Sequence, residues 1–350
     1  MPNGTKTCLL LYNILIGDGK EDEELNAVDQ VRTEIAAVRN ALKDCGYTVR
    51  TMGLRYLSAK VITEIDEVNP DFIFNLVESV YAQSRTEMYI AGLFELLKIP
   101  YTGSPPLALG LALNKLKTKQ ILRAASIPVP PSVIAIPGES PNFEDLTPPY
   151  IIKPIREDGS SGISPASVTD DLKEVKEKIT YIHETFHQPA LIEEFIDGRE
   201  FNVSVIGNNP PRMLAVAEID FSKMPKKEPR IVSYEAKWRP QSPQYIGTEV
   251  ICPAEIDSYL RARIEKIALK SYKELGCRDY ARIDIRLGEG RRLYVIEVNT
   301  NPDIAPESGF EKAAQSAGMS YKDFVGEIAD YAIGRSNRKA AAESSASAVI

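Results

Sequence analysis

Histidine, tryptophan and cysteine are scarce in this chain of 350 residues, which holds two, one and four of them. The histidines, His183 and His187, stand four apart on a helical stretch without the glutamate of a zinc-protease motif, which argues against zinc. Cys8, Cys45, Cys252 and Cys277 show no paired spacing, and Cys8 and Cys45 sit in apolar segments as buried small hydrophobes do, so a reducing compartment is expected. No apolar run approaches the length needed to span a bilayer, and no secretory signal precedes the first apolar segment. A soluble, cytoplasmic protein with no membrane partner is expected. Basic residues are outnumbered 42 to 49, a net charge of −7, so nucleic acid is not an expected partner and any anionic small molecule needs a local basic pocket. Also missing is a Gly-x-Gly-x-x-Gly turn after the first apolar segment, so a dinucleotide site there is unsupported.

What the chain does have begins with β-α alternation. Thr7–Leu15 is a near-continuous apolar run, as in a strand buried on both faces. Leu25, Val28, Val31, Ile35, Val38 and Leu42 recur at helical spacing up to Gly46. Tyr47–Met52 and Asp71–Val77 read as strands, and Ser58–Val68 as a helix with Ser58 as N-cap. Ser84-Arg-Thr-Glu87 reads as a capping box opening another helix. The pattern predicts a small parallel α/β sheet, Rossmann-like but without the usual fingerprint. Leu107–Ala125 reads as one helical segment, and its charge run Asn114–Lys119 as a solvated face.

Farther on, Lys153 follows buried β-branched residues, and Arg156–Gly162 is a polar loop that could bring backbone N–H groups to phosphate oxygens. The strand Ala190–Phe195 is expected to open a third part, with Gly198–Ile206 and Met213–Ile219 continuing an antiparallel sheet. Between Phe221 and Ile251 lies a long Pro-rich segment holding the one tryptophan, Trp238, which suggests a lid. Near the C-terminus, strict alternation through Arg282–Arg286 and Val295–Asn299, around Gly288–Arg291, predicts a hairpin. An even loop would place Arg282, Asp284, Glu297 and Asn299 on one face. Two carboxylates and an amide oxygen there suit Mg2+, a hard cation, although a solvated face of Arg–Asp pairs has the same pattern.

Taken together and in order, Lys115, Ile152-Lys153-Pro, the Gly-Ser loop, Leu191-Ile-Glu-Glu, Gly198-Arg-Glu-Phe, Tyr-Glu-Ala-Lys237, Ala-Arg-Ile-Asp284 and Glu297-Val-Asn-Thr resemble the ATP-grasp superfamily, and within it the D-alanine–D-alanine ligase family. The resemblance spans most of residues 71–310. It implies a three-domain α/β fold with an α+β C-terminal part: a Rossmann-like domain at 1–104, a central subdomain at 105–189 and a C-terminal subdomain at 190–334. Residues 335–350 are expected to be a disordered tail.

By the same resemblance, Lys115 and Lys153 contact nucleotide phosphates. Glu193 takes the adenine amino edge, the backbone of Glu194, Phe195 and Ile196 lines the base, and Glu200 binds ribose hydroxyls. Ser160 and Ser161 belong to a loop that closes over the phosphates. Asp284, Glu297 and Asn299 hold two Mg2+ ions, which Mn2+ can replace. Arg282 and Lys237 neutralise the transferring phosphoryl group, and Ser308 binds the acceptor's carboxylate. The implied activity is ATP-dependent ligation of a carboxylate to an amine through an acyl-phosphate, on amino-acid-like substrates, in a family whose members are often homodimers. A small-molecule kinase on the same fold is the alternative, and a silent nucleotide-binding module a third reading.

Departures from the family pattern fall on the substrate side. Asn13–Glu24 lacks the Gly-Gly-x-Ser-x-Glu type of stretch, and Glu78-Ser79 replaces His-Gly. The Gly-Ser loop is shifted, Trp238 stands for a tyrosine, and Asp303 stands for a glycine. Substrates other than two D-alanines are therefore expected.

Overall fold

The computed structural model describes the backbone of residues 5–14, 21–81 and 83–347, without the side chains of 21–30 and 336–347. The departure at Asn13–Glu24 thus lies mostly outside the described residues.

The first apolar run forms β1 (Thr7–Asn13), followed by α1 (Glu21–Asp44), β2 (Thr48–Leu54), α2 (Ala59–Val68) and β3 (Phe72–Leu76). The three strands pair in parallel in the order β2-β1-β3, as the alternation predicts. Ser58 occupies the N-cap of α2 but its side chain makes no capping bond. The predicted capping box at Ser84 is also replaced. Ser84–Thr86 is a 3-10 turn, and the Thr86 hydroxyl bonds to the Val80 and Gln83 carbonyl oxygens at 2.9 and 2.6 Å.

After α3 (Glu87–Leu96), the segment expected to be one helix is two, α4 (Pro106–Leu113) and α5 (Lys115–Ala124). Asn114 breaks them with an extended backbone and caps α5 by accepting from the Lys117 N–H at 3.1 Å. A four-stranded sheet follows, ordered β4-β7-β5-β6 from β4 (Ser132–Ala135), β5 (Tyr150–Pro154), β6 (Val168–Thr169) and β7 (Ala190–Glu194), with α6 (Leu172–Phe186) against it. The strand expected to open the third part, β7, pairs instead with β4 and β5 and so belongs to this central sheet.

The last sheet is β10-β9-β8-β11-β12, built from β8 (Arg199–Ile206), β9 (Arg212–Asp220), β10 (Glu249–Ile251), β11 (Tyr280–Leu287) and β12 (Leu293–Asn299). Its inner face packs on α9 (Ser258–Glu274) through Ile264, Ala268, Ile283 and Ile285, all without exposure. Between β9 and β10 lie two short helices, α7 (Tyr234–Trp238) and α8 (Pro243–Ile246). Gly198, just before β8, is obligatory: a Cβ there would lie 2.0 Å from the Leu287 carbonyl oxygen.

The chain ends in α10 (Gly309–Ser316) and α11 (Tyr321–Ser347). The helix expected to stop near Ile333 thus runs on through most of the expected tail. Phe310, Phe324 and Ile328 from these helices pack with Leu10, Val38, Phe72 and Phe74, so the N-terminal sheet shares a core with the C-terminal part. Burying each such side chain is worth about 1.5–3 kcal/mol.

Candidate active site

The β11–β12 hairpin places Arg282 opposite Asn299 and Asp284 opposite Glu297. Its loop does not do this by parity. Leu287 pairs with Leu293 across Gly288–Arg292, an odd number of residues, and the register then shifts between Asp284 and Ile285. Val295 pairs with Ile285 and Glu297 with Asp284, so Ile296 is the extra residue of a bulge, and the bulge restores the shared face. On that face Arg282 grips Asp284 with two bonds, 2.7 and 2.9 Å, and Asn202 of β8 donates to the same carboxylate at 2.9 Å. Lys115 Nζ lies 3.2 Å from Glu297 Oε1. Burial works to raise the Glu297 carboxyl, but Lys115, Lys153, Lys237 and Arg282 outweigh it and hold it at about 2.

The hairpin faces the central sheet across a cavity of about 620 Å³. Lys153, Ser160, Glu193, Glu194, Phe195, Ile196, Glu200, Lys237, Arg282, Asp284 and Glu297, all singled out from the sequence, line it. Asn299 and Lys115 border an adjoining cavity of about 100 Å³, which Glu297 shares. Ser308 caps α10 by accepting from the Glu311 N–H at 3.2 Å, with its neighbours Glu307 and Gly309 on the large cavity. The Ser161 N–H bonds to the Asp158 carbonyl oxygen at 3.1 Å, a turn contact within the loop.

At the far end of the cavity Glu193 is almost wholly enclosed, with Lys119 at 2.6 Å on one oxygen and Lys153 at 2.5 Å on the other. The Glu194 side chain turns away to accept from the Thr147 N–H at 2.9 Å, leaving its backbone on the cavity side. Glu200 pairs with Arg286 at 2.6 Å, and that guanidinium lies over the rings of Phe195 and Phe221. Burial raises the Glu200 carboxyl even so, against Arg286.

Two polar segments meet on one wall of the cavity. Ser160, with φ +60°, donates to the Val232 carbonyl oxygen at 2.8 Å. The Trp238 indole donates to the Gly159 carbonyl oxygen at 3.0 Å, and the Tyr234 N–H to that of Ile163 at 2.9 Å. The glycine-serine loop and the tryptophan segment therefore meet edge to edge.

Around the smaller cavity the groups are acidic. Glu78 is open to the cleft, yet the surrounding protein and then Asp158 and Asp303 push its carboxyl up to about 7, against Lys237. Burial, then Asp303 and Glu78, raise Glu34 of α1, which accepts from the Ile304 N–H at 3.2 Å. Burial and Glu78 raise Glu87, which accepts from Asn301 at 2.9 Å.

Sequence reasoning passed over Arg286 and Lys119. Arg286 continues the alternation of Arg282 and Asp284, which was signal enough. Lys119 was absorbed into a charge run read as a solvated face, whereas only Lys117 of the three lysines is exposed; Lys115 and Lys119 are 8% and 2% exposed. Their spacing of four was the available signal.

Residues 133–330 match the family model described as D-ala D-ala ligase C-terminus. The chain belongs to the D-alanine–D-alanine ligase family. The D-alanine–D-alanine ligase of Carboxydothermus hydrogenoformans is 34% identical over 85% of this chain and 91% of its own length. An uncharacterized protein, y4sG of Sinorhizobium fredii, is 30% identical over 83% of this chain and 85% of its own. Among solved structures, the D-alanine–D-alanine ligase from Bacillus anthracis complexed with ATP superposes with a TM-score of 0.73, covering 96% of this chain and all of that one. At 22% identity that likeness speaks for the ATP-grasp fold. Among the described residues no helix is long and apolar enough to cross a membrane.

Proposed function

We propose that this chain joins a carboxylate to an amine using ATP, through an acyl-phosphate, and releases ADP and phosphate. The observation that carries the reading is the convergence of Lys115, Lys153, Lys237 and Arg282 on Glu297, which stands opposite Asp284 on the hairpin while Arg282 also grips Asp284. Family membership supplies the reaction class.

In this reading the adenine lies against Ile196 and the backbone of Glu194 and Phe195, its amino edge on Glu193 and its ribose on Glu200. Lys115 and Lys153 bind phosphates. The substrate carboxylate attacks the γ-phosphorus and ADP leaves; the amine then attacks the acyl carbon and phosphate leaves. Arg282 and Lys237 offset the charge that develops on oxygen in both steps. Ser160, Ser161 and Trp238 keep water from the acyl-phosphate, and Ser308, at a helix N-terminus, receives the carboxylate of the amine substrate.

Asp284, Glu297 and Asn299 fit Mg2+ or Mn2+: all three offer oxygen, and they share one rigid face. Two ions bound there would supply countercharge to the triphosphate. Glu78 on the smaller cavity, with Asp303 near enough to raise its carboxyl, supports a substrate carrying an additional amino or hydroxyl group, and does not require two D-alanines. A cytoplasmic homodimer belongs to the same reading.

The test is ADP release with ATP, Mg2+ and pools of D- and L-amino acids, with mass spectrometry of products. A product equal in mass to two substrates less water establishes the ligase. A stable product heavier than one substrate by a phosphoryl group, formed with or without an amine, would instead establish the kinase.

A further inference from the structure

Among the described residues Lys119 is a charge without a role so far: a lysine 2% exposed, on α5, and named by no part of the proposed mechanism. Holding an ammonium out of water costs several kcal/mol unless its protons are satisfied. Its ammonium lies 2.6 Å from Glu193 Oε1 and donates to the Ile296 carbonyl oxygen at 3.3 Å. Ile296 is the bulge residue of β12, next to Glu297. One turn earlier on the same helix, Lys115 reaches Glu297 itself. Helix α5 therefore carries two lysines four apart, one on a carboxylate of the central sheet and one on a carboxylate of the hairpin.

Glu193 has two cations and two oxygens, one each: Lys119 on Oε1 and Lys153 on Oε2. The two lysines are not equivalent. Lys119 is buried and bonded to the bulge carbonyl, whereas Lys153 lines the open cavity where phosphates would lie. If Lys153 turns to a phosphate, Glu193 keeps a counterion only through Lys119.

We propose that Lys119 is a positioning residue for nucleotide recognition: it holds Glu193 ionised and aimed at the cavity, and so releases Lys153 to serve the phosphates. The proposal rests on the reading of Glu193 and Lys153 as nucleotide contacts. Burial would raise the Glu193 carboxyl, but Lys119 first and Lys153 second overcome it and hold it below the usual range; burial lowers Lys119 itself, against Glu193, and the 2.6 Å contact is what pairs the two. Without Lys119, Lys153 is the sole partner of a buried carboxylate and is drawn away from the triphosphate.

Binding of a non-hydrolysable ATP analogue with Mg2+, by calorimetry, tests this on the whole chain in a double-mutant cycle. Lys119→Met is expected to weaken binding about tenfold or more, and to cost less than about threefold once Glu193→Gln has removed the charge that needs neutralising. The same loss with and without Glu193→Gln overturns the proposal, because a packing role is indifferent to that charge. A Glu193→Gln variant that binds as tightly as the native chain overturns instead the nucleotide reading of Glu193 on which the proposal stands. Should Lys119→Met fail to fold by circular dichroism, Lys119→Arg keeps the charge. Binding within about threefold of native supports the proposal, and a tenfold loss with the melting temperature unchanged overturns it.

Discussion

Asp284 and Glu297 face each other across the β11–β12 ladder, and a bulge at Ile296 is what makes them do so. Replacing Asp284 by Asn keeps the shape and the bond from Asn202 reachable but removes a charge. Turnover, followed as ADP release, is expected to fall by at least about 10²-fold, the scale of losing one electrostatic group at a reacting centre. Circular dichroism and the melting temperature should remain near native. Undiminished turnover would remove Asp284 from the metal set.

Glu78 should make substrate capture depend on pH. Its carboxyl is pushed up to about 7, so it is neutral below that pH and charged above it. For an amine-bearing substrate seated against it, KM falls as pH rises through about 7. Glu78→Gln should flatten that profile and leave the KM for ATP in place. Stability runs the other way, since a carboxyl raised above its unfolded value of about 4.3 favours folding when protonated and loses that contribution as pH climbs toward 7. The variant's gain in melting temperature should therefore be visible at pH 8 and absent at pH 4. A KM profile unchanged by the substitution would separate Glu78 from the substrate.

Trp238 and Gly159 supply one of three hydrogen bonds between the two segments beside the cavity, worth about 1 kcal/mol. Trp238→Phe keeps most of the ring and loses the donor. More of the acyl-phosphate should then be lost to water, so phosphate released per amide formed rises. An unchanged ratio, measured by phosphate assay and product mass spectrometry, would mean that this contact does not guard the intermediate.

Asp279 is a structural anchor. Without exposure, it accepts from Arg335 at 2.5 and 2.9 Å, from Asn208 at 2.9 Å and from the Gly103 N–H at 2.9 Å, joining three regions of the chain. Asp279→Ala should destabilise by about 3–5 kcal/mol in urea, the cost of breaking a buried charge pair. Asp279→Asn should cost less, because Asn tolerates the φ of +66° and keeps an acceptor.

Much of this was legible in one dimension because the signals are local. Strand period and helix period follow from which face of a backbone is dry, so β1, β3, β11, β12 and α9 could be read directly. The short motifs kept their order because the reacting groups sit at strand ends and loops, where side chain identity is set by chemistry. Three things required the tertiary structure. Membership of β7 in the central sheet depends on partners 36 to 61 residues upstream, in β4 and β5. The bulge at Ile296 shows only in the pairing of β11 with β12, and no loop count reveals it. Lys119 is the sharpest case. On a helix wheel it is one more surface lysine, and only the meeting of α5 with β7 and β12 encloses it, supplies its carboxylate and makes a solvated charge into a buried one.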